Sequence, residues 1–157
     1  MTIIADERVT VRVPRERIWP VFHDADRLAA VLPGCESLEE TGPGAFRGLL
    51  ATRLQFLTLR ADVTARLADL APPDHLRLEI EGRPRGLTGG FRAEIPIELG
   101  ERGGQTDVAY RVDLTTSGRL ATFGAPILRD TFRKQVATLI ANLERALDEP
   151  EAGSASG

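Results

Sequence analysis

With 157 residues the chain makes one ordinary domain, long enough to enclose a hydrophobic core and a ligand cavity besides. Its net charge of -3, with 20 basic residues scattered among 23 acidic ones, argues against a nucleic-acid partner and against electrostatic attachment to anionic lipid. A lone cysteine, Cys35, rules out a disulfide framework and a cysteine-built metal site, and no other spacing of metal-ligating residues is present.

The first residues, Met1 to Glu7, lack a basic flank and an apolar signal core. No apolar stretch approaches the ~20 residues that span a bilayer, so a soluble cytoplasmic protein is expected. Residues 3 to 13 alternate as a first strand, which Pro14 ends by removing a ladder donor. Ile18, Trp19 and Phe22 then fall at helical spacing. Asp24 is a candidate N-cap for a second short helix through Val31, closed by Pro33-Gly34.

From residue 36 the period becomes two. Leu57, Leu59, Ala61, Val63, Ala65 and Leu67 are apolar, with Thr58, Arg60, Asp62, Thr64 and Arg66 between them, which predicts a strand with one wet face. Pro72-Pro73-Asp74 turns the chain, and Leu76, Leu78 and Ile80 repeat the alternation. After a glycine-rich loop, Phe91, Ala93, Ile95, Ile97 and Leu99 resume it on the other parity. A hairpin turn at Gly100 to Gly104 leads to Val108, Tyr110, Val112 and Leu114. Beyond Ser117-Gly118, apolar residues from Leu120 to Leu147 recur at spacings of three and four. They predict one helix of about thirty residues, ~45 Å long. Residues 1 to 148 form the domain, and residues 149 to 157 have the composition of a flexible tail.

These elements describe an α+β helix-grip arrangement: a curved antiparallel sheet wrapped around a long C-terminal helix, with two short helices after the first strand. Alanines punctuate the inward sets, and aromatic residues are few. A sheet and helix that fail to fill the space between them leave a dry cavity for an apolar ligand, whereas closure over those alanines gives a solid core. The candidate lining comprises Phe46 and Leu50, then Leu57, Leu59, Ala61, Val63 and Ala65 of the next strand, and Leu78 and Ile80 after it. Phe91, Ala93, Ile95, Tyr110 and Val112 continue it. The helix adds Leu120, Phe123, Gly124, Ile127, Leu128 and Phe132.

Catalytic side chains are scarce. His23 and His75 lie in turns, where a solvated histidine is the expectation, and Cys35 reads as an inert, half-buried thiol after Pro-Gly. Tyr110 stands on the inward parity, so its hydroxyl needs a partner from the protein or from a ligand carbonyl. The stretch Gly86 to Gly90 does not follow a phosphate-loop pattern. It is expected to be a mobile hairpin tip over the cavity mouth.

Three segments carry a family likeness: Leu32-Pro33-Gly34-Cys35-Glu36-Ser37-Leu38, the Ala71-Pro72-Pro73 turn, and Gly118-Arg119-Leu120-Ala121 through Gly124 and Ile127-Leu128. Through them the chain, over residues 3 to 147, resembles the CoxG family of carbon monoxide dehydrogenase subunits, within the START-like, Bet v 1-like (SRPBCC) superfamily of helix-grip proteins. The resemblance implies a cavity for lipids, quinones or similar molecules, with no catalytic residue and no cofactor beyond such a bound ligand. It also implies an accessory role beside a molybdenum-containing carbon monoxide dehydrogenase or related hydroxylase, in membrane recruitment or quinone delivery, with peripheral contact at the inner face of the cell membrane. Gln55-Phe56 stands where the family has a glycine-proline hairpin and Pro126 where it has an ordinary helix former; the given residues carry no anchoring tail of the kind some relatives have, so either a soluble shuttle or a chain cut short after the linker-like tail is expected. A cyclase or hydratase using Tyr110 to polarise a carbonyl, and a solid-core assembly factor, are the alternatives.

Overall fold

Alternating side chains build the sheet, and turn chemistry separates its strands. The computed structural model describes residues 2 to 147; the tail expected from residue 149 onward lies outside the described residues. In chain order the elements are β1 (Thr2–Val11), α1 (Arg15–Ile18), a 3-10 segment (Trp19–His23), α2 (Ala25–Val31), β2 (Cys35–Gly42), β3 (Ala45–Leu54) and β4 (Leu57–Ala71). Then come β5 (His75–Pro84), β6 (Phe91–Arg102), β7 (Gln105–Thr116), a second 3-10 segment (Gly118–Phe123) and α3 (Ala125–Leu147). All strands join one antiparallel sheet in the order β1-β7-β6-β5-β4-β3-β2.

The register puts Phe46, Ala65, Ile80, Ala93 and Leu114 in one apolar row across β3 to β7. Outward neighbours are charged and pair across strands: Arg47 with Glu39, Arg66 with Glu79, Arg92 with Glu81, and Arg85 with Asp62. The sheet therefore has one oily face and one ionic face.

Each quoted motif proves to be a close approach of backbone. Asp24 caps α2 by accepting from the amides of Asp26 (3.0 Å) and Arg27 (3.2 Å). Gly34 follows with φ +70°, and a Cβ there would fall 2.0 Å from the Ala51 carbonyl oxygen, so only glycine lets β3 close on this turn. The Pro72-Pro73 bond is cis, and the Pro73 carbonyl accepts from the Trp19 indole at 3.1 Å. Gly118 lies against Gly89, where a Cβ would come within 2.6 Å of the Gly89 Cα.

The C-terminal helix differs from the sequence expectation. Gly124, at φ 83° and ψ 159°, interrupts it, so α3 proper has 23 residues and is about 35 Å long. Leu120 and Phe123 belong to the 3-10 segment instead. Pro126 sits in the first turn of α3, where its missing N–H has no intrahelical acceptor to lose.

Apolar burial is divided. A first core gathers the short helices and the end of α3: Val13, Ile18, Trp19, Val31, Leu76, Leu143 and Leu147 are among its members. The Glu144 carboxylate accepts from the Arg12 amide at 2.9 Å, and Asn142 donates to the Val31 carbonyl at 2.9 Å, fixing that end of the helix. A second core comprises Ile4, Ala5, Ala93, Ile95, Tyr110 and Val112, with Leu128, Phe132 and Val136 of α3 packed on it.

Candidate ligand-binding site

The expected lining residues separate into three groups. Phe46 is part of the first core, packed with the short helices. Ala93, Ile95, Tyr110 and Val112 belong to the second, and Leu78, Ile80, Leu128 and Phe132 rest against it half-buried. Leu50, Leu59, Ala61, Val63, Ala65, Phe91, Leu120, Phe123 and Ile127 belong to neither. Of this last group Val63 and Leu120 are buried, and the others are half-buried. Gly124 is also half-buried, at the break before α3.

The strand members of that third group, Leu50, Leu59, Ala61, Val63, Ala65 and Phe91, share the inward parity of β3, β4 and β6, and all but Val63 are half-buried. Ala61 faces Leu50 on one side and Pro84 on the other. The Phe91 ring lies over Gly82, where a Cβ would come within 2.3 Å of it, so glycine makes room for the ring. Leu57 departs from the expectation: it is 46% exposed. The register explains why, since Pro84 opposite Ala61 is the last paired residue of β5, and the β3–β4 hairpin runs on beyond any third strand. At its tip Gln55 takes φ +54° and Phe56 is 93% exposed.

The loop expected to be a mobile tip is tied down. Ser117 donates its amide to the Gly90 carbonyl, and Arg119 donates to the Thr88 carbonyl, each at 3.0 Å. The loop and the 3-10 segment thus form one structural unit beside Phe123.

Tyr110 brings a polar group to the second core. It is 7% exposed and tilts against Phe132 at 6.0 Å between ring centroids. No described residue hydrogen-bonds its hydroxyl, and the one fully buried side-chain polar atom without a partner among the described residues is Arg77 Nε. The phenol oxygen is therefore unbonded but not sealed off. Burial pushes its pKa up, the Glu7 carboxylate pushes it further, and Arg133 opposes.

Half-buried Glu7 and exposed Arg133 were not expected beside Tyr110. Glu7 is the register partner of Tyr110 across β1 and β7, and Arg133 of α3 donates to it from Nε at 2.6 Å and from a terminal nitrogen. A register shift between Ile3 and Ala5 sets the parity of the rest of β1, which brings Ala5, Glu7, Val9 and Val11 opposite Val112, Tyr110, Val108 and Thr106. The detectable signal was a carboxylate among apolar residues of one parity. Nearby, Arg129 donates from Nε to the Ile4 carbonyl at 2.6 Å.

The remaining reactive side chains stand apart. His23 is exposed and stacks on Trp19 at 6.4 Å, and His75 begins β5 half-buried. Cys35 donates its thiol to the Ser37 carbonyl at 3.4 Å; burial raises its pKa, outweighing that bond. Among the described residues no group of three or more His, Cys, Asp or Glu could hold a metal ion. No helix among them is long and apolar enough to cross a membrane. Two open grooves cross the sheet among its charged side chains, and neither is lined by α3.

Solved structures share this architecture. A conserved protein from Geobacillus kaustophilus superposes with a TM-score of 0.81 at 20% identity, covering 90% of this chain and 93% of that one. A START superfamily protein from Mycobacterium smegmatis gives 0.67 at 12% identity, with 92% and 97% covered. The Zhui aromatase/cyclase from Streptomyces sp. R1128 gives 0.66 at 16% identity, with 95% and 96% covered. At these identities the likeness shows the helix-grip fold alone. No curated protein matches the sequence. Residues 8 to 148 match CoxG, the family described as a carbon monoxide dehydrogenase subunit, and the chain belongs to that family.

Proposed function

We propose that this protein is a non-enzymatic carrier that holds a lipophilic molecule, of the quinone or lipid kind, between the sheet and α3. The observation that supports it is the apolar wall of Leu50, Leu59, Ala61, Ala65 and Phe91, which neither core absorbs. Burying about 400 Å² of ligand there gives ~10 kcal/mol gross, from which several are subtracted for lost freedom, leaving roughly micromolar binding. That strength suits transfer better than storage. Membership of a family named for a dehydrogenase subunit supports an accessory role beside a molybdenum carbon monoxide dehydrogenase or related hydroxylase, delivering a quinone or recruiting the enzyme to the membrane.

Native mass spectrometry of freshly purified protein, with organic extraction, tests this. An intact lipophilic molecule at stoichiometric occupancy is expected. Protein that arrives empty and takes up no apolar ligand overturns the reading and favours a solid-core assembly factor. A second reading, a cyclase or hydratase, draws on the unbonded Tyr110 hydroxyl and on the fold shared with an aromatase/cyclase. It would appear as a chemically altered product of an added substrate.

A further inference from the structure

A phenol buried among aliphatic side chains ordinarily finds a hydrogen-bond partner. Tyr110 has none from the described residues; it shares a core with Ile95 and Val112, its ring tilts against Phe132, and its oxygen remains open. Next to it, the Glu7 carboxylate and the Arg133 guanidinium neutralise each other through two nitrogen donors. The inward face of β7 thus offers one free neutral donor, beside an exposed cation already engaged by a half-buried anion. Resting on the carrier reading, we infer that Tyr110 is the head-group contact of the apolar site, donating its hydroxyl to a neutral carbonyl oxygen of the ligand, while Glu7 disfavours carboxylate head groups.

The chemistry follows from those neighbours. A ketone, quinone or ester oxygen accepts the phenol proton donor at little desolvation cost, since it carries no full charge into the apolar surroundings. A fatty-acid carboxylate would have to displace Glu7 from Arg133 or lie beside it, and like charges held close repel, less strongly at this partly exposed pair than in a sealed interior. The raised pKa keeps the phenol protonated at neutral pH, hence a donor.

Three ligands of equal chain length test the assignment: a methyl ketone, the corresponding alkane and the corresponding fatty acid, each measured by displacement of a fluorescent apolar dye. The parent protein should bind the ketone about 5–10-fold more tightly than the alkane, the range of one net hydrogen bond. Tyr110→Phe should erase that preference while leaving alkane affinity unchanged. Glu7→Gln, which frees the charge on Arg133, should strengthen fatty-acid binding by about tenfold. The chain has 1 tyrosine beside 1 tryptophan, so an ultraviolet difference spectrum between the parent and Tyr110→Phe isolates this hydroxyl's band, and the ketone but not the alkane should shift it to the red. A ketone preference that survives Tyr110→Phe, an unshifted tyrosine band, or a parent that takes the fatty acid as tightly as the ketone overturns the inference and leaves the carrier standing. A parent that binds none of the three overturns both.

Discussion

Ala61 stands on the inward parity of β4 between Leu50 and Pro84, half-buried and outside both cores. If that space is meant for ligand, Ala61→Phe should abolish uptake of an apolar molecule and change stability by less than ~1 kcal/mol. In a filled interior the same change would overpack its neighbours and cost ~1–3 kcal/mol. Uptake measured beside urea unfolding separates these outcomes. Glu144 gives a second residue-scale prediction. The Arg12 amide and guanidinium hold its carboxyl below the usual glutamate range. A carboxylate so depressed contributes stability that is complete above its unfolded pKa and lost as pH falls through the folded one. Glu144→Gln should therefore cost about 1 kcal/mol at neutral pH and little in acid, below the folded pKa, which denaturant titrations at the two pH values will show. Tyr110 was legible because strict alternation put it on the oily face. Glu7 was not, because a single register shift near Ile4 decides the parity of the strand that carries it.

Strands with one wet face declare themselves, and so β4, with Thr58 to Arg66 alternating outward, was readable with its neighbours. The helix was harder. Leu120 and Phe123 continue the apolar spacing of α3 into a segment that is not α-helical, because side-chain periodicity does not register the backbone turn at Gly124. At φ 83° and ψ 159° that glycine occupies a region closed to side chains. Gly124→Ala should cost ~1–3 kcal/mol through backbone strain rather than collision, since the nearest atom to its Cβ would be Pro126 Cδ at 3.9 Å. Pro126→Ala should be within ~0.5 kcal/mol of the parent, its amide lying in the first helical turn. Thermal unfolding of the two single variants checks the contrast. Stopped-flow displacement of an apolar dye should show faster release in Gly124→Ala, because the link between Phe123 and α3 is the strained one.

At the scale of the molecule, the three short segments are places where the backbone is closely approached: Gly34 by the Ala51 carbonyl, Pro73 by the Trp19 indole, Gly118 by Gly89. They hold sheet and helices in place and leave the chemistry of the interior to side chains such as Tyr110 that no motif marks. The paired arginines of the ionic face are mostly exposed, so each is worth little, and moderate salt should leave the unfolding midpoint nearly unchanged. On the carrier reading, an apolar wall outside both cores has a mechanical consequence. Hydrostatic pressure favours whichever state occupies less volume, and a folded chain with an unfilled interior loses that empty volume when it unfolds. Compression should therefore unfold the ligand-free protein with a volume decrease of several tens of mL/mol, shrinking when an apolar molecule occupies the wall beside Ala61. Equal volume changes for the empty and loaded protein would mean that α3 already closes on the sheet without it.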